Sequence, residues 1–387
     1  MATSSPLIQP TKSRAIGNDL RTLLGWEKVK DDGPTLTAYA VDASIYRIPP
    51  QAVVLVESED DIATTIGYAR SRGIPLTPRA AGTNLTGSAI GSGIILDVSH
   101  LNRILEVNQE EQWARVQPGI VLAELNKQLS ARGLMFGPDP SSGDMCKLGG
   151  MVANNSSGPH TLRYGSVKDN VQSLRLCLTS SSWIEARAYP LTDPTLERLL
   201  TMVPALRDVL VLTQAHADLI AAKRPTVSKN SCGYNLFGVA DGLAQGVFDL
   251  PKLFVGSEGT LGIMSEATLR LVNRPTSTLT ALLHFKNLEE VGHAVPQILT
   301  LQPSALEVMD ANTLNLIGRA KHGIPADAAA TLLLELDADS TEIDLQEQAD
   351  ALRSICRPYK LASEPTLAFD AERREQLWKT RKALYPT

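Results

Sequence analysis

The chain has 387 residues, a length that suits two or three domains and allows a packed core. Hydrophobic residues make up 43% and charged residues 20%, as in an ordinary globular protein, and the net charge of −5 argues against general nucleic-acid binding. A local basic pocket for a small acid remains compatible with this charge, because net charge does not report on a single site.

The cysteines and the apolar runs limit the possible compartments and metal sites. Cys146, Cys177, Cys232 and Cys356 are scattered, with no C-x-x-C pair. This excludes an iron–sulfur or structural zinc site built from cysteines of this chain, and it fits a reducing compartment. The N-terminus is polar, and no stretch approaches the roughly 18 apolar residues of a membrane span. We therefore expect a cytoplasmic protein, with peripheral attachment to a membrane through another subunit as an alternative.

The first predicted elements form a β-α-β unit. Residues 1–45 are a lead-in of mixed helical pattern, and residues 52–56 predict a buried strand. Ser58 and Asp61 form a capping box for the following helix, which Gly73 ends. Residues 74–77 predict a second strand that leads directly into a glycine-rich loop.

The remaining chain shows two patterns, separated near Arg274. Before that residue, the sequence predicts strands at 94–98, 104–107, 113–117, 171–178, 252–255 and 266–272, and helices at 121–132 and 192–222. After it, strands at 279–285, 305–309 and 331–336 alternate with helices at 288–299, 311–317 and 345–355. The second pattern is typical of an α+β domain.

Three separated glycine-rich segments carry most of the functional information. They are PRAAGTNLTG at 78–87, GGMVANNSSG at 149–158 and GSEGTLG at 256–262. Each combines glycines with small hydroxyl or amide side chains, which allows backbone N–H groups to approach an anion closely. One such loop is weak evidence for a phosphate site, but three in this order, joined by Arg163-Tyr164-Gly165, form a specific signal.

These segments resemble the FAD-binding domain of the vanillyl-alcohol-oxidase (PCMH-type) flavoproteins, most closely the FAD-linked D-lactate, glycolate and D-2-hydroxyglutarate dehydrogenases. In NAD-binding folds the glycine loop lies between the first strand and the helix, whereas here it follows the second strand. The resemblance implies an α+β protein with a lead-in at 1–45, a PCMH-type FAD-binding domain of two α+β subdomains at 46–274, and an incomplete α+β, ferredoxin-like cap domain at 275–387.

The resemblance also implies a set of FAD-binding residues. For the pyrophosphate these are Arg79, Ala81, Gly82, Thr83, Asn84 and Gly87. For the isoalloxazine and phosphates they are Pro138, Asp139, Ser142, Gly149, Gly150, Asn154, Asn155, Ser157, Gly158, Tyr164 and Gly165. Along the adenosine end they are Glu258, Gly259, Gly262 and Ile263. Some relatives carry a flavin-linked histidine near Thr83, and its absence here predicts non-covalent FAD.

Substrate-binding residues are fewer. Arg381, in the segment LWKTR, matches a substrate-binding arginine of these dehydrogenases. The alternative interpretation is that Arg381 belongs to an exposed basic helix end and only interacts with the helix dipole. Lys229 is a second candidate, with an ordinary salt bridge as its alternative. None of the six histidines is assigned as catalytic base or metal ligand, and His160 is expected to be an exposed loop residue.

The resemblance implies oxidation of a D-2-hydroxy acid (lactate, glycolate or 2-hydroxyglutarate class) by hydride transfer to flavin N5, with a quinone, cytochrome or iron–sulfur protein as electron acceptor. The alternatives are a non-catalytic FAD-holding electron-transfer subunit, an inactive fragment, or a related oxidase of sugars or aromatic alcohols.

The 113 residues after position 274 are roughly half of the expected cap. We therefore expect a missing C-terminal half or a partner subunit. A divalent metal or an iron–sulfur cluster is expected only if that half exists. We also expect an exposed apolar edge around Leu377, Trp378 and Leu384.

Overall fold

The computed structural model describes residues 10–227, 229–338 and 342–383. Its α-helices are α1 Pro10–Leu24, α2 Gly33–Tyr39, α3 Glu59–Arg72, α4 Leu122–Ser130, α5 Leu148–Ala153, α6 Thr161–Tyr164, α7 Val167–Asn170, α8 Pro194–Met202, α9 Pro204–Ala215, α10 Ala217–Ala222, α11 Leu236–Ala244, α12 Leu250–Phe254, α13 Leu288–Ile298, α14 Ala311–Ile317, α15 Glu342–Cys356 and α16 Ala371–Lys382.

The strands are short at the start of the chain and longest after residue 270. They are β1 Val29–Lys30, β2 Ala52–Leu55, β3 Leu76–Arg79, β4 Ile94–Asp97, β5 Ile104–Asn108, β6 Trp113–Val116, β7 Leu134–Met135, β8 Val171–Cys177, β9 Trp183–Pro190, β10 Val247–Asp249, β11 Ile263–Arg270, β12 Val272–Asn273, β13 Ser277–Phe285, β14 Ala305–Asp310, β15 Ala330–Ala338 and β16 Thr366–Ala368.

The chain divides into two compact units. The first contains the described parts of residues 1–136, 142–156 and 166–271, and the second contains 137–141, 157–165 and the described residues from 272 onward. Two short segments inside the predicted FAD-binding domain therefore cluster with the second unit. The predicted boundaries of 45 and 274 stay predictions, because contact clustering follows compactness rather than function.

The first unit contains a small sheet that positions the first glycine-rich segment. Its strand order is β1-β2-β4-β3, with β2, β4 and β3 parallel and β1 antiparallel to β2. Helix α3 supplies the connection between β2 and β3; its N-terminus has the predicted capping box of Ser58 and Asp61, and Gly73 ends it in the left-handed conformation. The segment at 78–87 begins within β3 and leaves its C-terminal end.

A second, larger sheet completes the first unit. Its order is β10-β9-β8-β11-β6-β5, and every neighbouring pair is antiparallel. A core of apolar side chains packs on it, including Leu125 and Leu129 of α4 and Phe248 of β10, all fully buried. The third glycine-rich segment leads into β11 at Ile263, so a central strand fixes its C-terminal end.

The second unit is built on one antiparallel sheet of order β14-β15-β13-β16. Strands β13 and β15 pair over nine residues each, from Ser277 with Ala338 to Phe285 with Ala330. Helices α13 and α15 contribute Val291, Ala294, Ala349 and Leu352 to its main core.

Several details differ from the sequence-based expectations. Most of the strand predicted at 252–255 lies in helix α12, which begins at Leu250, and Pro251 occupies a first-turn position where its missing N–H is harmless. The predicted helix at 192–222 is three helices, interrupted at Val203 before Pro204 and again at His216. Strands β1, β7, β9, β10 and β16 were not predicted. Leu377 and Trp378 are half-buried against an apolar cluster rather than exposed, and Leu384 lies outside the described residues.

Candidate functional site

A cavity in the first unit brings the three glycine-rich segments together. It encloses about 840 Å³ of empty space, part of it open to solvent. The predicted FAD-binding residues on its wall are Arg79, Ala81, Gly82, Thr83, Asn84, Gly149, Gly150, Asn154, Glu258, Gly259, Gly262 and Ile263.

The cavity wall also contains residues that the sequence analysis did not select. They are Pro78, Ala80, Ser88, Ala89, Val98, Pro118, Lys147, Val152, Ala153, Leu174, Leu176, Phe254, Ser257 and Met264. Leu174 and Leu176 lie two residues apart and therefore share one face of β8. That alternation was readable in the sequence, but it does not distinguish a face that lines a cavity from one that packs in a core.

Asn84 shapes the first segment and ties it to the second. Its side-chain oxygen accepts hydrogen bonds from the N–H groups of Thr86 (2.7 Å) and Ser88 (3.2 Å), which holds the loop in a compact turn. Its amide nitrogen donates to the side-chain oxygen of Asn154 at 2.9 Å. Two of the three segments are thus joined directly by the side chains that the sequence singled out.

The third segment is tied to the second through the backbone. The N–H of Gly256 donates to the carbonyl of Val152 at 2.9 Å, and the N–H of Glu258 donates to that of Ala153 at 3.0 Å. Gly259 has a positive φ of +77°, and a Cβ there would lie 2.4 Å from Pro78 of the first segment. A larger residue is therefore excluded by both backbone strain and contact.

Gly82 and Gly150 are glycines for different reasons. Gly82 has a φ of +70°, and a Cβ added to it would lie 2.5 Å from the Arg79 guanidinium. At Gly150 an added Cβ would meet only the Ala80 Cβ, at 3.9 Å. Gly150 therefore leaves open space at the cavity wall, whereas Gly82 is required by the backbone and by Arg79.

Arg79 serves the loop itself. Its guanidinium Nη1 donates to the carbonyl of Val41 at 2.8 Å and to that of Ala89 at 3.4 Å, and the group lies 5.1 Å from the Tyr39 ring centroid. These contacts hold the first segment against the lead-in. The predicted contact of Arg79 with a phosphate stays a prediction.

Lys147 is a cavity cation that the sequence analysis missed. It immediately precedes α5 and lines the cavity, and within the described residues no hydrogen bond or ion pair engages its ammonium group. Glu258 is the one carboxylate on the described wall. The wall thus combines small residues, backbone polar groups and an available positive charge.

This wall fits FAD. Two phosphates require closely approachable backbone and a cation, and Gly149, Gly150, Ala81 and Lys147 provide these features. The flavin and adenine rings require apolar surface, and Val152, Leu174 and Phe254 provide it. The open space at Gly150 is the part of the wall that a side chain would fill.

Three predicted residues of the first unit lie off the cavity wall. Gly87 packs near Tyr46, where a Cβ would approach the ring to 2.9 Å. The Ser142 carbonyl accepts from the N–H groups of Met145 and Cys146 in a turn. Asn155 is buried with a φ of +47°, and its side-chain oxygen accepts from the Lys168 N–H at 2.9 Å. Each of them supports the loops rather than lining the cavity.

The other predicted residues belong to the second unit. They are Pro138, Asp139, Ser157, Gly158, Tyr164 and Gly165. Gly158 is pressed against Asp139, whose carbonyl oxygen an added Cβ would approach to 2.0 Å. The Tyr164 hydroxyl donates to Asp337 at 2.6 Å. His160 is 20% exposed and lies between Asp139 and Glu335, so the expectation of an exposed loop histidine was wrong.

The two predicted substrate-binding residues differ in their surroundings. Arg381, on α16 of the second unit, donates through Nε to Glu307 of β14 at 2.7 Å. Its terminal nitrogens have no carboxylate partner among the described residues. Arg381 therefore uses only part of its guanidinium in an ion pair, and it is not an exposed residue at a helix end. Lys229 is exposed in the connection between α10 and α11. Both roles stay predictions.

None of the helices in the described ranges has the length and apolar character that crossing a membrane requires. In the same ranges, no group of three or more His, Cys, Asp or Glu side chains has the arrangement to hold a metal ion.

Comparisons with known proteins agree with the assignment of FAD to this cavity. The family model described as "FAD binding domain" matches residues 50–187, and the one described as "FAD linked oxidases, C-terminal domain" matches residues 274–387. The chain is 34% identical over 325 residues to D-2-hydroxyglutarate dehydrogenase of Pantoea ananatis, covering 79% of this chain and 31% of that protein.

Two further relatives match over more of their own length. Glycolate oxidase subunit GlcD of Bacillus subtilis is 29% identical, with 93% of this chain and 67% of that protein covered. D-lactate dehydrogenase of Anaerostipes hadrus is 28% identical, with 87% and 62% covered. The chain therefore spans between about a third and two thirds of the length of these curated relatives.

A solved structure shows the same fold. Alkyldihydroxyacetonephosphate synthase matches with a TM-score of 0.66 at 18% identity, covering 100% of this chain and 65% of that one. The predicted α+β class, with a FAD-binding domain followed by a cap domain, is confirmed. The chain belongs to the FAD-linked oxidases, in the group related to D-2-hydroxyglutarate, glycolate and D-lactate dehydrogenases.

Proposed function

We propose that the chain binds FAD non-covalently in the cavity of the first unit and oxidises a D-2-hydroxy acid to the 2-oxo acid. The observation that carries the proposal is the convergence of all three glycine-rich segments on one cavity wall. Relatives of this chain named for 2-hydroxy acids support the substrate class. Electrons pass to an acceptor other than NAD, of the quinone, cytochrome or iron–sulfur class.

The reaction requires three groups: a carboxylate clamp, an acceptor for the hydroxyl proton and an acceptor for the hydride on the α-carbon. Bound FAD supplies the hydride acceptor. Arg381 supplies the clamp, because a guanidinium matches a carboxylate with two parallel hydrogen bonds. The Nε bond to Glu307 fixes the plane of the guanidinium and leaves the terminal nitrogens for the substrate.

The test is an anaerobic titration of the FAD-loaded chain with D-lactate and D-2-hydroxyglutarate, followed by visible absorption. We expect one acid to bleach the flavin band and its L-enantiomer to leave the band unchanged. Bound flavin that stays oxidised with every D-2-hydroxy acid would contradict the proposal and favour the alternative, a non-catalytic FAD-holding subunit.

Arg381→Met tests the clamp in the same assay. Loss of a charged hydrogen-bonding partner costs about 1.5–3 kcal/mol, so the acid concentration that half-bleaches the flavin should rise roughly 10- to 100-fold. Lys382→Met, which removes the neighbouring exposed cation, is the matched control and should change it little. Equal effects in the two variants would remove Arg381 from the proposal.

A further inference from the structure

His160 lies between two carboxylates of the second unit. Its Nδ1 is 2.5 Å from Asp139 Oδ2, and its Nε2 is 2.7 Å from Glu335 Oε2. A neutral imidazole has one N–H and can donate to only one of them, whereas an imidazolium donates to both. The geometry therefore matches a charged ring held at both nitrogens.

Glu335 extends this contact to helix α16. The carboxylate lies on β15 with 8% of its side chain exposed, and it accepts from the Thr280 hydroxyl and from the Trp378 indole N–H, the latter at 2.6 Å. The Trp378 ring centroid is 5.7 Å from that of His160. Trp378 precedes Arg381 by three residues, so the two side chains share a face of α16.

We propose that His160 is a positioning residue: clamped between Asp139 and Glu335, it orients the Glu335 carboxylate that holds Trp378, and it thereby fixes the face of helix α16 that presents Arg381. The last step rests on the proposed function, because it assumes that Arg381 binds the substrate. The earlier steps concern this chain's own side chains and stand without that assumption.

Charge explains why a histidine fits this position. A buried carboxylate without a cation is costly, and one imidazolium here faces the buried Glu335 and the half-buried Asp139. Burial acts to lower the pKa of His160, but hydrogen bonds to Asp139 and Glu335 and their negative charges outweigh it and raise the pKa to about 10. The pKa of Glu335 is lowered against its burial by His160, with further hydrogen bonds from Thr280 and Trp378.

Further charged groups of the second unit lie close to the clamp. Asp337, two residues along β15, accepts from the hydroxyls of Tyr164 and Thr278, and Arg163 donates to the Asp337 carbonyl. Because the pKa of His160 is raised in the folded chain, the favourable free energy of the clamp is complete below the ordinary value of 6.5 and is lost as the pH rises through about 10. The clamp is thus fully formed at neutral pH.

The first test is NMR on the full chain. We expect the His160 Cε1–H signal to keep its imidazolium position from pH 5.5 to 8.5, and His160→Gln to shift the Trp378 indole N–H signal at pH 7.5. Trp378→Phe assigns that signal among the four tryptophans. His293→Gln, at an exposed position of α13, is the control and should leave the signal in place. A midpoint for His160 near 6.5, or an unmoved indole signal in His160→Gln, would overturn the clamp.

The second test separates the clamp from the proposed function. With a D-2-hydroxy acid as substrate, we expect His160→Gln to raise KM about tenfold while kcat changes less than about threefold, because a misplaced α16 weakens substrate binding. An unchanged KM alongside a shifted indole signal would overturn the last step only. If no acid reduces the flavin of the unmodified chain, the proposed function and that last step fail, and the NMR experiment still decides the clamp.

Discussion

Lys147 gives the cavity its one uncommitted cation within the described residues. Lys147 lines the cavity and its ammonium group has no protein partner among those residues, whereas the Arg79 guanidinium is engaged by backbone carbonyls. A phosphate is the natural partner for such a group. We expect Lys147→Met to weaken FAD binding roughly 10- to 100-fold, the equivalent of about 1.5–3 kcal/mol for one charge-assisted contact.

Fluorescence titration of FAD at two ionic strengths checks this prediction. The loss of affinity on raising the salt should be smaller in Lys147→Met than in the unmodified chain, because one charged contact is gone. Lys147→Arg should retain most of the affinity. Lys127→Met, at an exposed position of α4, serves as control. An affinity for FAD that is unchanged in Lys147→Met would contradict the assignment.

A substitution at Gly150 tests the assignment of FAD to the cavity more directly than one at Gly82. Any side chain at Gly82 strains a left-handed backbone and collides with Arg79, so a loss of FAD there would also report a damaged loop. Gly150→Val instead places its methyl groups in the open space of the cavity. We expect it to weaken FAD binding roughly 10- to 100-fold, as overpacking by about 1–3 kcal/mol would.

The matched control is Gly292→Val, another helical glycine whose added Cβ would meet nothing within 4 Å. Both variants should keep the thermal midpoint of the FAD-free chain close to its unmodified value. Full FAD affinity in Gly150→Val with an intact fold would place the cofactor elsewhere.

At the scale of single residues, sequence reasoning found the cavity wall but not its charge or the histidine clamp. Glycines and asparagines carry a local signal because their backbone roles depend on neighbouring residues. His160 carries no such signal: Asp139 is 21 residues away and Glu335 is 175 residues away in the chain. Only the fold brings these three together.

Helix α3 illustrates how one element combines local and long-range contacts. Asp61 closes the capping box by accepting from the N–H of Ser58, and both of its oxygens also accept from the Lys28 ammonium at 2.9 Å. Burial acts to raise the pKa of Asp61, but Lys28, the backbone N–H of Glu57 and the Ser58 side chain lower it overall. The carboxylate is therefore required in its charged form.

We expect Asp61→Asn to destabilise the chain by about 2 kcal/mol at pH 7, through loss of a charged hydrogen-bonding partner. Because the pKa of Asp61 is depressed, the contribution is complete above its ordinary value of 3.8 and is lost as the pH falls further. The difference in thermal midpoint between Asp61→Asn and the unmodified chain should therefore shrink below pH 3.8. Asp60→Asn, exposed on the same helical turn, should show no such difference.

At the scale of elements, the predictions succeeded where a helix carried caps at both ends and where a strand was long. Helix α3 and strands β13 and β15 are examples. Residues 252–255 were mistaken for a strand because a short apolar run does not distinguish a buried strand from a buried helix. At 192–222 the helical period was read correctly, and the break before Pro204 was overlooked.

At the scale of the whole molecule, the chain follows the order of its family: a FAD-binding domain and then a cap domain. The segments 137–141 and 157–165 of the second unit lie within the sequence span of the first. Contacts distant in sequence create this interleaving, so no local pattern predicts it. The parts of the three glycine-rich segments that line the cavity, in contrast, belong to one unit, as their shared chemistry predicts.

The most direct test of this account is the visible absorption spectrum of the purified chain after FAD is supplied and unbound FAD is removed. We predict a flavin spectrum that corresponds to one FAD per chain, released on denaturation because the linkage is non-covalent, and greatly reduced in Gly150→Val. A folded chain that retains no flavin, or that retains it equally in Gly150→Val, would contradict the assignment of this cavity to FAD.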